Sequence, residues 1–571
     1  MNDAGNEAKL QSRAADSVLS ARLGKYAGAV QSALAEADQA NIIRRIWDKD
    51  ASVWKTEPAH QKIIANSLGW LSVASEMSGK TDELKQFADR IRQEGYQHVM
   101  VCGMGGSSLC PEVLRQTFGA SDGFPTLLVL DSTDPDVVSN FRNQIDVARC
   151  LFVIASKSGT TTEPVAFHRY WYGEVSRLSD SPGDSFIAIT DPGTQMASAA
   201  EAERFKHIFL NQPDIGGRYS ALSHFGMVPA ALLGIDIGRF LQNAIAMADL
   251  CRLPAAQNPA AMLGAVMAEC ALAGRDKLTI IADEKLASVG LWIEQLVAES
   301  TGKEGKGIVP IVLEEPAAVS TYGDDRVFVS ISLGEPSPLL QQLEDAGHPI
   351  VYRSLGDIDE LGAEFFLWEM ATAFAGWRLG INPFDQPNVQ EAKDATKALL
   401  DSYSKEGKLK EQSAVAQSGE LTVYGAGSTK GSFADLVHEH LKKAGHGDYI
   451  ALLAYLEETP EVDTALTTLR ATLRDLTGRA VTMGYGPRYL HSTGQLHKGG
   501  PDSGVFLQIT APDHADFDVP QSSYSFSVLK QAQAQGDLDA LLAHGRRVLR
   551  IDLGNDIVAG LRQFTELVPS L

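Results

Sequence analysis

The rhythm of hydrophobic positions changes near residue 93. Before it, apolar residues recur at helical spacing, as in Ile42, Ile43 and Ile46 and in Leu68, Leu71 and Val73. The stretch is rich in Ala, Leu, Lys and Gln and has no strand-like run. This pattern predicts a helical segment over 1–92. From there, short runs rich in Val, Ile and Phe alternate with longer helical stretches: His98–Cys102, Thr126–Leu130, Leu151–Ala155, Phe186–Thr190 and His207–Leu210. Fully apolar short strands separated by helices indicate a parallel sheet covered on both faces. The pattern predicts a doubly wound α/β domain over 93–245.

A second series, Leu278–Ala282, Ile308–Leu313, Val327–Ile331 and Ile350–Tyr352, predicts another such domain over 255–400. Pro259 to Gly274, the most apolar stretch, is interrupted by Glu269 and too short to span a bilayer, so it reads as a buried helix of small residues. Ser402–Gly419 is polar and charged and reads as a linker. Beyond it, Leu421–Tyr424, Tyr449–Ala454, Ala480–Met483, Val505–Ile509 and Val548–Ile551 predict a third, smaller α/β unit over 420–571. The segments 99–108 and 421–430 echo each other, each a strand leading into Gly-x-Gly and hydroxyl residues; common ancestry and convergent turns both account for this.

Composition narrows the function. The 571 residues carry 50 Lys and Arg against 72 Asp and Glu, a net charge of −22, which repels nucleic acid and anionic membranes. Cations that bind an anionic substrate must therefore be local. The five cysteines have no metal-site spacing and point to a reducing compartment. No signal peptide or spanning segment is visible, so a cytoplasmic location is expected.

Five segments carry candidate chemistry. Gly103-Met-Gly-Gly-Ser-Ser108 follows a strand and precedes a helix, where glycines and free N–H groups cradle an anion. Ser108 stands where a dinucleotide fingerprint needs glycine, and the Walker pattern is absent, which disfavours NAD and ATP. A single phosphate and a plain tight turn both remain open for this segment. Ala155-Ser-Lys-Ser-Gly-Thr-Thr-Thr-Glu163, at another strand end, is a nest of hydroxyls suited to a terminal phosphate. Two such loops at the carboxyl edge of one doubly wound sheet lie where these folds bind ligands. Gly216-Gly-Arg218 offers a guanidinium that could stabilise developing negative charge. Gln295 and Glu299 share a helix face, with Glu299 near the negative end of the helix dipole, a setting that suits a general base; a solvated surface glutamate fits the same pattern. Asn382 to Lys393 is a rigid two-proline loop running into a helix, where Lys393 by itself reads as an exposed helical lysine.

Taken in this order, the five segments resemble the phosphoglucose isomerase family, built from two sugar-isomerase (SIS) domains, over roughly residues 95 to 400. The whole chain resembles the isomerase portion of fused transaldolase–phosphoglucose isomerase proteins. The resemblance implies that Gly106 and Ser107 hold the sugar near the phosphate pocket. It implies a phosphate loop of Ser156, Lys157, Ser158 and Thr161, and a pair Gly217 and Arg218 beside the reacting carbons. Gln295 would contact substrate, Glu299 would be the catalytic base, and Gln386 and Lys393 would lie at the sugar ring. The family's ring-opening histidine has no match in context between Glu299 and Lys393, where only His348 occurs. The third unit offers Tyr489-Leu-His491-Ser-Thr-Gly-Gln-Leu-His497, so His497 or His491 is the expected ring opener. The implied activity is interconversion of glucose 6-phosphate and fructose 6-phosphate through a cis-enediol, without metal or organic cofactor. The alternatives are a SIS-fold sugar-phosphate sensor and an isomerase that also accepts mannose 6-phosphate. The expected partner is a small-molecule sugar phosphate, with no nucleic acid or membrane. The family's histidine comes from a partner subunit; a histidine supplied in cis would allow a monomer in place of a homodimer.

Overall fold

A computed structural model describes residues 18–409, 412–425 and 431–570. The second half of the echo at 421–430 and the first residues of the helical segment lie outside these.

Five parallel strands form the first sheet, in the order Thr126–Leu130, His98–Cys102, Cys150–Ala155, Phe186–Thr190, His207–Leu210. Their side chains are almost all buried because helices cover both faces, which is why these strands read as continuous apolar runs rather than alternating ones. The chain reverses its direction of travel across the sheet between His98–Cys102 and Cys150–Ala155. Such a reversal opens a crevice at the carboxyl ends of the two strands, and both phosphate-type loops leave from there.

The second sheet runs Ile350–Ser354, Arg326–Ser332, Lys277–Ala282, Val309–Ile311, all parallel, with Ser20–Arg22 added antiparallel at one edge. That edge strand was not expected in a helical segment: it is three residues long and has no apolar run, and only its pairing with Ile350–Tyr352 makes it a strand. Pro259–Leu272 is the buried helix the sequence predicts, begun by Asn258, whose side chain caps the Ala261 N–H. It lies so close to the helix Leu361–Leu379 that a Cβ at Gly264 would sit 2.4 Å from the Ala371 carbonyl oxygen.

The third sheet has six strands in the order Ala414–Ser418, Leu421–Tyr424, Arg547–Asp552, Gly504–Thr510, Tyr449–Tyr455, Ala480–Tyr485. Its last four are parallel and the first two form an antiparallel edge. Leu421–Tyr424 is therefore not the counterpart of the central parallel strand His98–Cys102, and the echo does not extend to position in the sheet. The polar stretch Ser402–Gly419 is no plain linker either. The amphipathic helix Val389–Glu406 runs into it, and Ala414–Ser418 at its far end is a strand.

The third unit is seated on both others. Phe526, Leu529 and Ala532 of its helix Phe526–Ala543 join the core on one face of the first sheet, and the buried Lys530 ammonium bridges Asp134 and Asp513. On the other side, the buried Arg470 donates to the carbonyls of Val481, Val312 and Leu313 at 2.8–2.9 Å. Among the described residues, no helix is long and apolar enough to cross a membrane.

Arg470→Met would strand three carbonyls at the joint with the second sheet. A loss of about 2–3 kcal/mol is expected, read as a lowered midpoint in calorimetric unfolding. An unchanged profile would mean that apolar packing alone holds the joint.

Candidate active site

At the crevice of the first sheet, the Gly103–Ser108 loop makes a 3-10 turn over Gly105–Ser107 before the helix Leu109–Phe118. Gly105 has φ +55°, the left-handed region that glycine occupies without strain. A Cβ at Gly106 would sit 2.0 Å from the Gly217 carbonyl oxygen, so this loop and the Gly217–Tyr219 turn are in backbone contact. Gly106 is required here for close approach and Gly105 for its backbone conformation. Ser107, the last residue of the Gly105–Ser107 turn, is buried.

The neighbouring loop turns its hydroxyls on one another. Ser156 donates to Thr161 at 3.3 Å and accepts the Gly159 N–H at 3.2 Å, while the Ser158 hydroxyl accepts the Thr160 N–H at 3.3 Å. The helix Thr162–Ser176 follows with no side-chain cap at its start. Lys157 departs from its expected place. Its ammonium pairs with Asp191 and donates to the Pro213 carbonyl at 2.9 Å, tied to neighbouring strand ends away from the hydroxyls.

Arg218 is 3% exposed and fully engaged. It donates to Ser300 Oγ at 2.7 Å, to the carbonyls of Pro383 at 2.7 Å and Asp385 at 3.0 Å, and to Gln386 Oε1 at 3.1 Å. Its Nη1 lies 3.3 Å from Glu299 Oε1. Gln295, one helical turn before Glu299, donates to Glu299 Oε2 at 3.1 Å, and its own Oε1 is buried without a protein partner. The fold thus brings Arg218, Gln295, Glu299 and Gln386 into one cluster.

A cavity of about 520 Å³ opens beside this cluster, walled by Ser158, Thr161, Glu163, Lys393, Lys397 and His491. His491 joins cavity and cluster: its carbonyl accepts from Gln295 Nε2 at 2.8 Å, and its Nε2 lies 3.0 Å from Glu163 Oε1. The two histidine candidates separate here. His497 is 3% exposed, packed against Tyr489 and Phe506, and its buried Nδ1 has no partner. Burial, with Lys498 and Arg546 nearby, drives its pKa well below the ordinary range. It is a core residue of the third unit, and His491 is the one at the cavity.

In the sequence, Glu163 is only the last residue of the hydroxyl loop. It is buried in the first turn of the helix, accepting from His491 and, at 2.6 Å, from Gln533 Nε2 of the third unit. Burial raises its pKa, but the facing His491 and the hydrogen bonds outweigh this, and the net displacement is downward. Gln533 and Ser300 were missed, because an isolated polar residue on a helix carries no signal of its own. Lys397 repeats the Lys393 side of its helix one turn on.

The phosphoglucose isomerase family model matches residues 59–324. That stretch of the chain is similar to the phosphoglucose isomerase family. Gly106, Ser107, Ser156, Lys157, Ser158, Thr161, Gly217, Arg218, Gln295 and Glu299 fall inside that match, while Gln386, Lys393 and His491 fall beyond it. Glucose-6-phosphate isomerase of Rubrobacter xylanophilus is 28% identical over 372 residues, covering 55% of this chain and 85% of that one. The enzyme of Methanocaldococcus jannaschii is 26% identical over 338 residues, covering 52% and 83%. A crystal structure of a glucose-6-phosphate isomerase from Chlamydia trachomatis superposes with a TM-score of 0.56 at 20% identity, covering 66% of this chain and 86% of that one. That likeness places the parallel-sheet domains in the SIS-type fold.

The contact between the two glycine loops is one-sided. Gly106→Ala must push its new Cβ into backbone and is expected to cost about 1–3 kcal/mol, whereas the space at Gly217 is open and Gly217→Ala should fold as the wild type does. Thermal unfolding of the two variants checks this.

Proposed function

We propose that the protein interconverts glucose 6-phosphate and fructose 6-phosphate as an aldose–ketose isomerase. The observation that carries this is the buried contact of Glu299 with Arg218, joined through Gln295 to a hydroxyl-walled cavity that holds His491. A site for binding alone has no use for a carboxylate paired in this way, so the sensor reading is not favoured.

The steps follow from the groups present. The phosphate, which takes no part in the reaction, is anchored at Ser156, Ser158 and Thr161, with Lys393 and Lys397 as the cations on the facing helix. Binding energy from this remote group positions the reacting end. Lys157 acts indirectly, fixing the loop through Asp191. His491, oriented by Glu163, exchanges protons with the ring oxygen and the hydroxyl on the first carbon, which opens the ring; Lys393 assists at the ring. Glu299 then takes the proton from the second carbon and returns it to the first, through a cis-enediol. Arg218 stabilises the negative charge that develops on the oxygens. Gly106, Ser107, Gln295 and Gln386 hold the open chain against the base.

Because His491 and Glu299 come from one polypeptide, the reaction needs no second subunit in this reading. The appended third unit is what likens the chain to fused transaldolase–phosphoglucose isomerase proteins. The five buried, unpaired cysteines fit a reducing, cytoplasmic setting.

Conversion of fructose 6-phosphate, followed through a coupled dehydrogenase, tests the assignment. Glu299→Gln should lower kcat by about 10²–10⁴-fold; a folded wild type that binds the sugar phosphate without turnover would restore the sensor. His491→Ala should lose about a hundredfold on fructose 6-phosphate and little on a four-carbon sugar phosphate, which cannot close a ring. Specific activity should stay constant on dilution, whereas a histidine borrowed from a partner would make it fall.

A further inference from the structure

Directly after the helix that carries Glu299, the chain makes a tight turn in which Lys303 and Lys306 exchange backbone hydrogen bonds at 3.0 Å. The turn is pinned from outside. Gln495 donates to the Gly302 carbonyl at 2.9 Å, and the Gly305 N–H donates to the Gly499 carbonyl at 3.0 Å. Lys303 is therefore aimed inward, and its side chain is 2% exposed. A lysine this deeply buried is costly unless its ammonium is well partnered.

Its partner is Asp385. The Lys303 ammonium donates to both the Asp385 carbonyl and, at 2.9 Å, Asp385 Oδ1. The other carboxylate oxygen accepts from Asn382 Nδ2 at 2.9 Å and lies 3.2 Å from His60 Nδ1. The same Asp385 carbonyl also accepts from Arg218 at 3.0 Å. Two buried cations thus share one peptide oxygen, and the carboxylate of that residue faces the lysine. Between these contacts sits the segment that supplies Arg218 with the Pro383 carbonyl and Gln386.

We propose that Lys303 is a positioning residue for Arg218: by holding the Asp385 carboxylate and carbonyl, it leaves the guanidinium facing Glu299 and the substrate. Without the lysine, the Asp385 carboxylate would keep only Asn382 and His60, and the guanidinium, already on the Asp385 carbonyl, would be drawn toward it and off the base. The inference rests on the isomerase reading.

The groups facing Lys303 are Arg218, Asp385 and Glu299. Burial first, and then Arg218, bring its pKa down to about 8 against the opposing pull of the two carboxylates. The cation is accordingly present at neutral pH and lost as pH rises through about 8.

Lys303→Met should lower kcat on fructose 6-phosphate at least tenfold with KM within twofold, and adding Asp385→Asn should recover most of that loss by removing the competing anion. A purely structural lysine would instead lower the unfolding temperature in both variants and leave kcat per folded site unchanged, which would overturn the proposal. If Lys303→Met does not fold, Lys303→Arg decides. Its charge persists to much higher pH, so kcat should fall above about pH 8 in the wild type and hold in the variant. The same decline in both proteins would overturn the proposal. A wild type without isomerase turnover would instead refute the reading on which the inference rests.

Discussion

A guanidinium removed from water needs acceptors for its N–H groups, and Arg218 finds them in segments far apart in the chain. Ser300 and Glu299 come from the end of one helix, and Pro383, Asp385 and Gln386 come from the loop before another. None of these segments could relax without leaving part of a buried charge unpaired, which is among the more expensive defects a protein can carry. The Gly106–Gly217 contact adds the first sheet's crevice to the same point. Position in the site is thus a by-product of satisfying one cation.

The three sheets solve a common packing problem in a common way. In each, the parallel strands run second, first, third, fourth, reversing beside the first strand. The first sheet contributes loops from both sides of its reversal, and the third contributes His491 from the turn after Ala480–Tyr485. The second sheet contributes not a strand end but the far end of the helix Val289–Thr301. The third unit is a layer of the site's wall, carrying Gln533 onto Glu163 as well as His491 onto the cavity.

The parallel strands were legible because burial on both faces writes an unbroken apolar run into the sequence. Ser20–Arg22 and Ala414–Ser418 were not, since both are edge strands whose identity comes from a neighbour. The site divides along a similar line. Residues fixed by a distinctive local backbone, such as Gly106, Gly217 and Ser156, are visible as motifs. Groups that matter through a distant contact are not: Glu163 gains its meaning from His491, and Lys303 from Asp385. The choice between His491 and His497 is of the second kind. Six residues apart in similar loop-like sequence, one faces the cavity and the other packs on Phe506.

The seam at Gly302 has a consequence for the history of such a chain. A Cβ there would lie 2.3 Å from the Leu496 Cα, so the third unit rests on the end of the helix bearing Glu299 with no space between the backbones. A unit seated that closely cannot be exchanged for a foreign module or shed by a simple deletion. Any descendant that lost it would have to rebuild the end of that helix and the cavity wall that His491 forms at once. The appended unit is bound to its host as an organ rather than as an attachment.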